Sequence, residues 1–196
     1  MARVTKNTTR KASCRKKSGG KGITIDKMKD RISEAKEKAT EPLRQATLIF
    51  LLKDNQILLT MKKRGFGADK WNGVGGKRRD GEKIEETAKR ETNEEIGVSV
   101  GYLKEVVTLN FYFLEKTDWN QQVVVYLSSN WIGEPKESEE MAPKWFDLDK
   151  IPYNDMWDDD IFWLPKVLDG SKIEADFLFD ENQKMIEKNV VEIATY

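Results

Sequence analysis

Apolar side chains recur along this chain in two rhythms. Short runs that are continuous or alternate every second residue occur at residues 46–52 (ATLIFLL), 56–61, 106–114 (VVTLNFYFL), 122–127 (QVVVYL), 144–148 and 173–179. Runs of that length, rich in Val, Ile, Leu and Phe, read as β strands. Lys53-Asp54-Asn55 is a turn signal that makes a hairpin of the first two. Residues 116–120 turn the chain between the third and fourth. Residues 131–138 read as a polar loop, 180–182 as a turn and 184–196 as a last strand. The run at 173–179 alternates as a half-exposed strand does.

The other rhythm is three to four. Ile84, Ala88, Thr92 and Ile96 fall in one row of a helix from about Lys83 to Ile96, with Gly97 suited to the left-handed position that closes it. Residues 24–41 carry a thinner stripe, Ile25, Met28, Ile32 and Ala35, with Asp26 as a cap and Pro42 as a stop. Residues 149–168 read as mostly helical and aromatic, broken by Pro152 and Pro165. Strands, one helix, more strands, a second helix and final strands make an α/β sandwich. The expected organisation is a disordered basic tail (1–22), a helical extension (23–43) and one catalytic domain (44–196).

Charge changes this picture. The net charge is zero, but residues 1–22 hold eight Lys or Arg and no acid. The rest carries 26 basic against 34 acidic groups, a net of −8. An acidic body that handles phosphates needs metal ions between them. The tail reads as a solvated segment, with weak nucleic-acid contact or a targeting address as alternatives. The one cysteine, Cys14, leaves no internal disulfide. Histidine is absent, which removes Ser-His and Cys-His nucleophile schemes and His-ligated zinc. No apolar run is long enough to span a bilayer, and no leader-like segment follows the basic N-terminus. The expectation is a cytoplasmic monomer, with mitochondrial or nuclear placement as alternatives.

The candidate chemistry lies in residues 76–98, GKRRDGEKIEETAKRETNEEIGV. Gly76, Glu82, Arg90, Glu91, Glu94, Glu95 and Gly97 stand at spacings whose chance occurrence is on the order of 10⁻⁸ per start position. Glu91, Glu94 and Glu95 are i, i+3 and i+4 on one helix face, while Lys89 and Arg90 are expected to point elsewhere. Like charges so placed cost about 0.2–0.5 kcal/mol per pair unless a cation lies between them. An isolated E-x-x-E-E also reads as a solvated acidic face. The surrounding glycines, Glu82 and Arg90 favour a site for hard divalent cations.

This stretch resembles the Nudix box, the signature of hydrolases acting on a nucleoside diphosphate linked to another group. One departure is Thr92, where an aliphatic is usual; its methyl can still pack in the core row. The resemblance implies a Nudix-type α/β/α sandwich with a mixed central sheet and a catalytic loop-helix-loop. It implies Mg²⁺ or Mn²⁺ held by Glu91, Glu94 and Glu95 with help from the Gly75 carbonyl, and a bridge from Arg90 to Glu82. Lys62, Lys63 and Lys77 flank the box and are candidate phosphate contacts or ordinary surface lysines.

The flanks, residues 61–76 and 137–165, resemble the oxidised purine nucleoside triphosphate hydrolases, the 8-oxo-dGTPase branch, which sanitise the nucleotide pool and so avert DNA damage. The likeness runs from about Ala46 to the C-terminus. It implies that Asn72, Asp159 and Asp160 read the base edge, that Phe66, Phe111, Phe113 and Trp157 wall the pocket, and that Thr47 stands near the base. Glu140 matches a glutamate outside the box that aligns a metal or a water. Asp158 stands where the branch often has proline, which leaves base preference less fixed than reaction type. Two adjacent carboxyls in an apolar pocket share protons, one donating while the other accepts. The implied reaction yields a nucleoside monophosphate and pyrophosphate from 8-oxo-dGTP or 2-hydroxy-dATP. Alternatives are another Nudix substrate (an ordinary nucleoside triphosphate, a dinucleoside polyphosphate or a capped RNA) and a silent nucleotide-binding module.

Overall fold

A computed structural model describes residues 30–39, 42–65 and 67–194. Its centre is an eight-stranded mixed sheet. In chain order the elements are α1 (Arg31–Lys38), β1 (Arg44–Lys53), β2 (Gln56–Lys62), β3 (Trp71–Asn72), α2 (Ile84–Ile96), β4 (Ser99–Val100), β5 (Lys104–Phe113), β6 (Gln121–Ser128), β7 (Trp131–Ile132), β8 (Met141–Asp147), α3 (Asp160–Leu168), β9 (Lys172–Phe179) and β10 (Met185–Ile193). The sheet order is β10-β9-β5-β6-β1-β2-β3, with β8 on β2, and β4 and β7 form a small sheet of their own. β1 pairs in parallel with β6, and β5 with β9; the other pairs are antiparallel.

The hairpin of β1 and β2 positions the site because it is incomplete. The two strands pair only next to their turn, at Leu51↔Leu58, Leu52↔Ile57 and Lys53↔Gln56. Beyond that β1 follows β6 and β2 follows β8. The chain after β3 runs into the gap and bonds to β1. Val74 and Ile49 exchange backbone bonds of 3.0 and 2.6 Å, the Thr47 N–H donates to the Gly76 carbonyl at 3.0 Å, and Arg78 N–H to Gln45 at 2.9 Å. Glycine is needed for this approach: a Cβ on Gly75 would stand 1.9 Å from the Thr47 carbonyl oxygen, and one on Gly76 2.5 Å from the Glu91 carboxyl.

The strand alternation sorts two cores. Ala46 and Phe50 face α3 in a cluster with Leu109, Val123, Trp163 and Phe177. Ile49 and Leu51 face α2 with Ala88, Ile96 and Val98. Trp163, which is fully buried, meets Phe50 edge-on at 6.0 Å; burying such a side chain stabilises by about 1.5–3 kcal/mol. A smaller cluster of Ile32, Leu43, Tyr112 and Leu178 seats α1 on β5 and β9.

α2 matches its expected span. Its closing residue Gly97 has φ 72° and donates to the Asn93 carbonyl. Thr92 is fully buried, and its hydroxyl donates to Ala88 O at 2.8 Å. The polar atom is thus satisfied within the helix, and the methyl is left for the core.

Four expectations change. α1 begins at Arg31 under an Asp30 cap, whose carboxylate accepts from Ser33 N–H at 2.7 Å. The expected cap Asp26, the stripe residues Ile25 and Met28, and the tail 1–22 lie outside the described residues. The 131–138 loop contains β7, which pairs with β4; strands of two residues carry no readable period. In 149–168 only α3 is α-helical, after two 3-10 turns, and Pro165 sits inside it rather than breaking it. An interior proline costs about 3 kcal/mol, which the buried Trp163, Leu164 and Val167 offset. Finally, β9 is buried on both faces from Ala175 to Phe179, because α1 covers the face that alternation assigned to solvent.

Candidate active site

The gap between β1 and β2 opens into a cleft of about 410 Å³. One end is lined by Gly75, Gly76, Lys77, Lys62, Glu91 and Glu95, the other by Asn72, Phe111, Phe113, Trp157, Asp159 and Asp160. Thr47 lies between them. These residues come from six separate stretches of chain, brought together by the sheet order. Glu94, Arg90 and Glu140 are not part of the lining, and Phe66 lies outside the described residues.

At the first end, Arg90 organises the acids. Its guanidinium meets Glu82 with two bonds, Nε to Oε1 at 2.8 Å and Nη2 to Oε2 at 3.0 Å. It also donates from Nη1 to Glu91 Oε1 at 2.6 Å and to Glu94 Oε2 at 3.0 Å. The expectation that Arg90 points away from the glutamates is therefore wrong: at i+1 and i+4 from Arg90 they lie within the reach of its long side chain. Glu82 further accepts from Arg79 N–H and the Thr87 hydroxyl. The Arg90 bonds hold the Glu82 carboxyl down to about 2. Glu94 points outward, 48% exposed, and also contacts Arg79 at 3.3 Å.

Glu95 is the exception at this end. Burial pushes its carboxyl up to about 7, Glu91 and Glu140 push the same way, and the Gly75 N–H and Lys62 oppose them. Gly75 N–H reaches Glu95 Oε2 at 3.3 Å. Glu140 is 51% exposed and lies on Arg64 at 2.8 Å, which lowers its carboxyl.

Among the described residues no three acids form a ready-made metal cage. The donor set nevertheless fits a hard divalent cation. Glu91 and Glu95 line the cleft with the backbone of Gly75 beside them, and among the described residues Arg90 pairs with Glu91 but not with the buried Glu95. Glu94 joins such a set only by giving up Arg79 and Arg90.

At the second end the acids have no arginine partner among the described residues. Asp159 and Asp160 are each 2% exposed. Asp159 accepts from the Trp163 indole N–H at 3.1 Å, and Asp160 from Trp157 N–H at 3.0 Å. Burial raises both carboxyls, and the neighbouring aspartate raises Asp160 further. Asn72 accepts from Gly73 N–H at 2.7 Å, which turns its amide nitrogen free of that bond. Trp157 meets Phe179 edge-on at 6.4 Å, and Phe179 stacks on Phe113 at 5.4 Å. Asp158 lies outside the lining, 3.7 Å from Lys184.

Phe179 of the lining and Lys70 beside Trp157 escaped the sequence reading. Phe179 belongs to the aromatic wall; its alternation with Phe177 was visible, but not which face the pocket takes. Lys70 stands 5.2 Å over the Trp157 ring and donates to Met156 O at 2.9 Å. Thr47, expected near the base, is 1% exposed, and its hydroxyl has no hydrogen-bond partner among the described residues. A buried hydroxyl left unpaired at a cleft wall marks a place for a ligand atom.

Known proteins resemble this chain in sequence and in fold. Residues 42–167 match the NUDIX domain. The chain is 43% identical over 147 residues to a Danio rerio protein named oxidized purine nucleoside triphosphate hydrolase, covering 75% of this chain and 94% of that one. A Mus musculus protein of the same name is 41% identical over 150 residues, covering 76% and 96%. Among solved structures, a MutT protein from Bacillus halodurans shares the fold with a TM-score of 0.67 at 24% identity, over 76% of this chain and 97% of that one. A MutT NUDIX hydrolase from Burkholderia pseudomallei aligns with a TM-score of 0.52 at 28% identity, over 56% and 86%. The family match spans more than half the chain and contains the whole glutamate helix: the chain belongs to the Nudix family of hydrolases.

Proposed function

We propose that this chain hydrolyses oxidised purine nucleoside triphosphates, of the 8-oxo-dGTP and 2-hydroxy-dATP type, to the monophosphate and pyrophosphate. The observation that carries this reading is the buried Asp159–Asp160 pair, facing an aromatic cleft whose other end holds Glu91 and Glu95. A carboxyl kept protonated donates a hydrogen bond while its neighbour accepts one. With Asn72 they offer both bond types to a purine edge whose donor pattern oxidation has changed. The names of the two vertebrate relatives support the same substrate class.

Nudix hydrolases use divalent metal ions, and we assign Mg²⁺ or Mn²⁺ here to Glu91, Glu94, Glu95 and the Gly75 carbonyl, with Glu140 at the rim. A bound ion supplies neutralisation of phosphate charge and a water of lowered pKa. The chain's own residues do the rest. Lys62 and Lys77 hold phosphate oxygens. Trp157, Phe111 and Phe113 exclude water around the base. Arg90 is a positioning residue that fixes the loop through Glu82 and the helix face through Glu91. Attack of water on phosphorus breaks one phosphoanhydride bond and releases pyrophosphate.

The test is a panel of purine triphosphates with Mg²⁺, scored by pyrophosphate release. The expected result is kcat/KM roughly 10²-fold higher for 8-oxo-dGTP or 2-hydroxy-dATP than for their unoxidised parents. Equal turnover of oxidised and ordinary purines, or none of either, would refute the reading.

A further inference from the structure

Resting on that reading of the cleft, we propose that Gln121 is a specificity-determining residue, whose carboxamide hydrogen-bonds the nucleoside half of the substrate from the sheet side of the pocket. The floor of the cleft beneath the aromatic wall is otherwise apolar: Ala46, Leu48, Leu109, Phe111 and Val123 line it. Gln121 interrupts that floor. It begins β6, half-buried, with Phe111 as its partner on one side and Arg44 on the other. Side chains of paired residues leave the sheet on the same face. The Gln121 side chain therefore lies beside the Phe111 ring, which stacks on Phe177 at 5.8 Å.

Its neighbour in sequence supplies the contrast. Gln122 points to the opposite face and is tied down there. It donates to Asn110 Oδ1 at 3.1 Å and accepts from Gln45 at 3.5 Å. The row continues through Asn110 to Asp176 at 3.1 Å, and Asp176 holds Lys36 of α1 at 2.7 Å. Gln122 is structural. The Gln121 carboxamide makes no such bond among the described residues, although three other polar side chains of the cleft are engaged. Thr60 donates to the carbonyls of Asn72 and Gly73, and Asp159 and Asp160 accept from tryptophan N–H groups.

An amide carries two donors and an acceptor. A ligand that covers Gln121 strips it of water. A ligand atom able to bond it offsets that loss, and one unable to do so leaves it unpaired against an apolar floor. The residue thus rewards one nucleoside and penalises another, while Asn72 and the aspartates act from the far side of the cleft.

The experiment compares the full chain with Gln121→Met and Gln122→Met. Dissociation constants are measured by calorimetry for 8-oxo-dGMP, dGMP and 8-oxo-GMP. Gln121→Met is expected to change either the 8-oxo-dGMP/dGMP ratio or the 8-oxo-dGMP/8-oxo-GMP ratio by roughly tenfold. The first assigns the contact to the base and the second to the sugar. Gln122→Met leaves both ratios at the wild-type values. Wild-type discrimination that Gln121→Met preserves on both ratios, or that Gln122→Met alters as strongly, overturns this inference alone. A wild-type chain that binds neither oxidised nucleotide overturns the oxidised-purine reading and this inference with it.

Discussion

The two ends of the cleft are both built from clustered carboxylates, and the fold treats them in opposite ways. At the helix end, Glu82, Glu91 and Glu94 surround Arg90 as ion-pair partners, and the Glu82 carboxyl is lowered. At the aromatic end, Asp159 and Asp160 are buried with indole and backbone N–H partners, and their carboxyls are raised. A carboxylate's chemistry is thus set by what stands beside it rather than by its own identity. Anchored negative charge suits cations, which in turn bind phosphates; shared protons suit the neutral edge of a base. Glu95 crosses the line, since it belongs to the helix end by position and to the aromatic end by burial.

That crossing makes Glu95 the place where the contrast breaks most sharply. Glu95→Gln keeps the shape and removes the charge, and it should lower kcat by about 10²–10⁴-fold. The thermal midpoint should stay near wild type, because a buried carboxyl raised to about 7 loses little on becoming an amide. Turnover at the wild-type rate would take Glu95 out of the chemistry.

Arg90→Ala is expected to act through its neighbours. It releases Glu82, Glu91 and Glu94 together, and loss of such supporting contacts should weaken metal affinity by about 10–100-fold. Titration of Mn²⁺ by electron spin resonance reads this directly. An unchanged affinity would mean that the arginine only holds the loop.

The third test uses pH, where the two ends have opposite signs. Glu82 is lowered from 4.5 to about 2, so between those values the unfolded chain binds more protons than the folded one. Its contribution is present above pH 4.5 and is lost as pH falls through 2. The aspartates are raised above 3.8, so the folded chain binds more protons. Their contribution is present below 3.8 and is lost as pH rises through their raised values. Asp160→Asn should therefore flatten the fall of the thermal midpoint between acid and neutral pH, and raise KM for 8-oxo-dGTP about tenfold. A midpoint–pH slope equal to wild type would contradict the raised carboxyl. The smallest expected effect is that of Thr92→Val. It removes a hydroxyl already bonded to Ala88 O, and should shift stability by less than about 1 kcal/mol with activity intact. A larger change in denaturant midpoint would give Thr92 a role beyond packing.

Much of the helix end was legible in the chain itself, because it is local. The row from Ile84 to Ile96 and the closing Gly97 lie within one helix, where spacing decides who meets whom; the Glu82–Arg90 bridge came only from the resemblance to the Nudix box. The direction of Glu94 was not legible, because the competing Arg79 comes from a loop whose path depends on its bonds to β1. The aromatic end was readable only through resemblance. Its members, Asn72, Phe111, Trp157 and Phe179, are far apart in sequence, and no periodicity links them. Pro165 shows the same limit: a helix breaker in isolation is carried when Trp163, Leu164 and Val167 are buried around it.

The early parting of β1 from β2 has one more consequence. Ala46, Thr47 and Leu48 line the cleft where β1 has parted from β2, so the place for an occupant is a seam left unsewn. An occupant there interrupts no ladder bond, because the chain around Val74 and Gly76 has already taken up the free edge of β1. Substitutions that extended the pairing of β1 with β2 past Leu51 and Leu58 would stitch the seam shut. They would abolish binding without altering a single residue that faces the substrate.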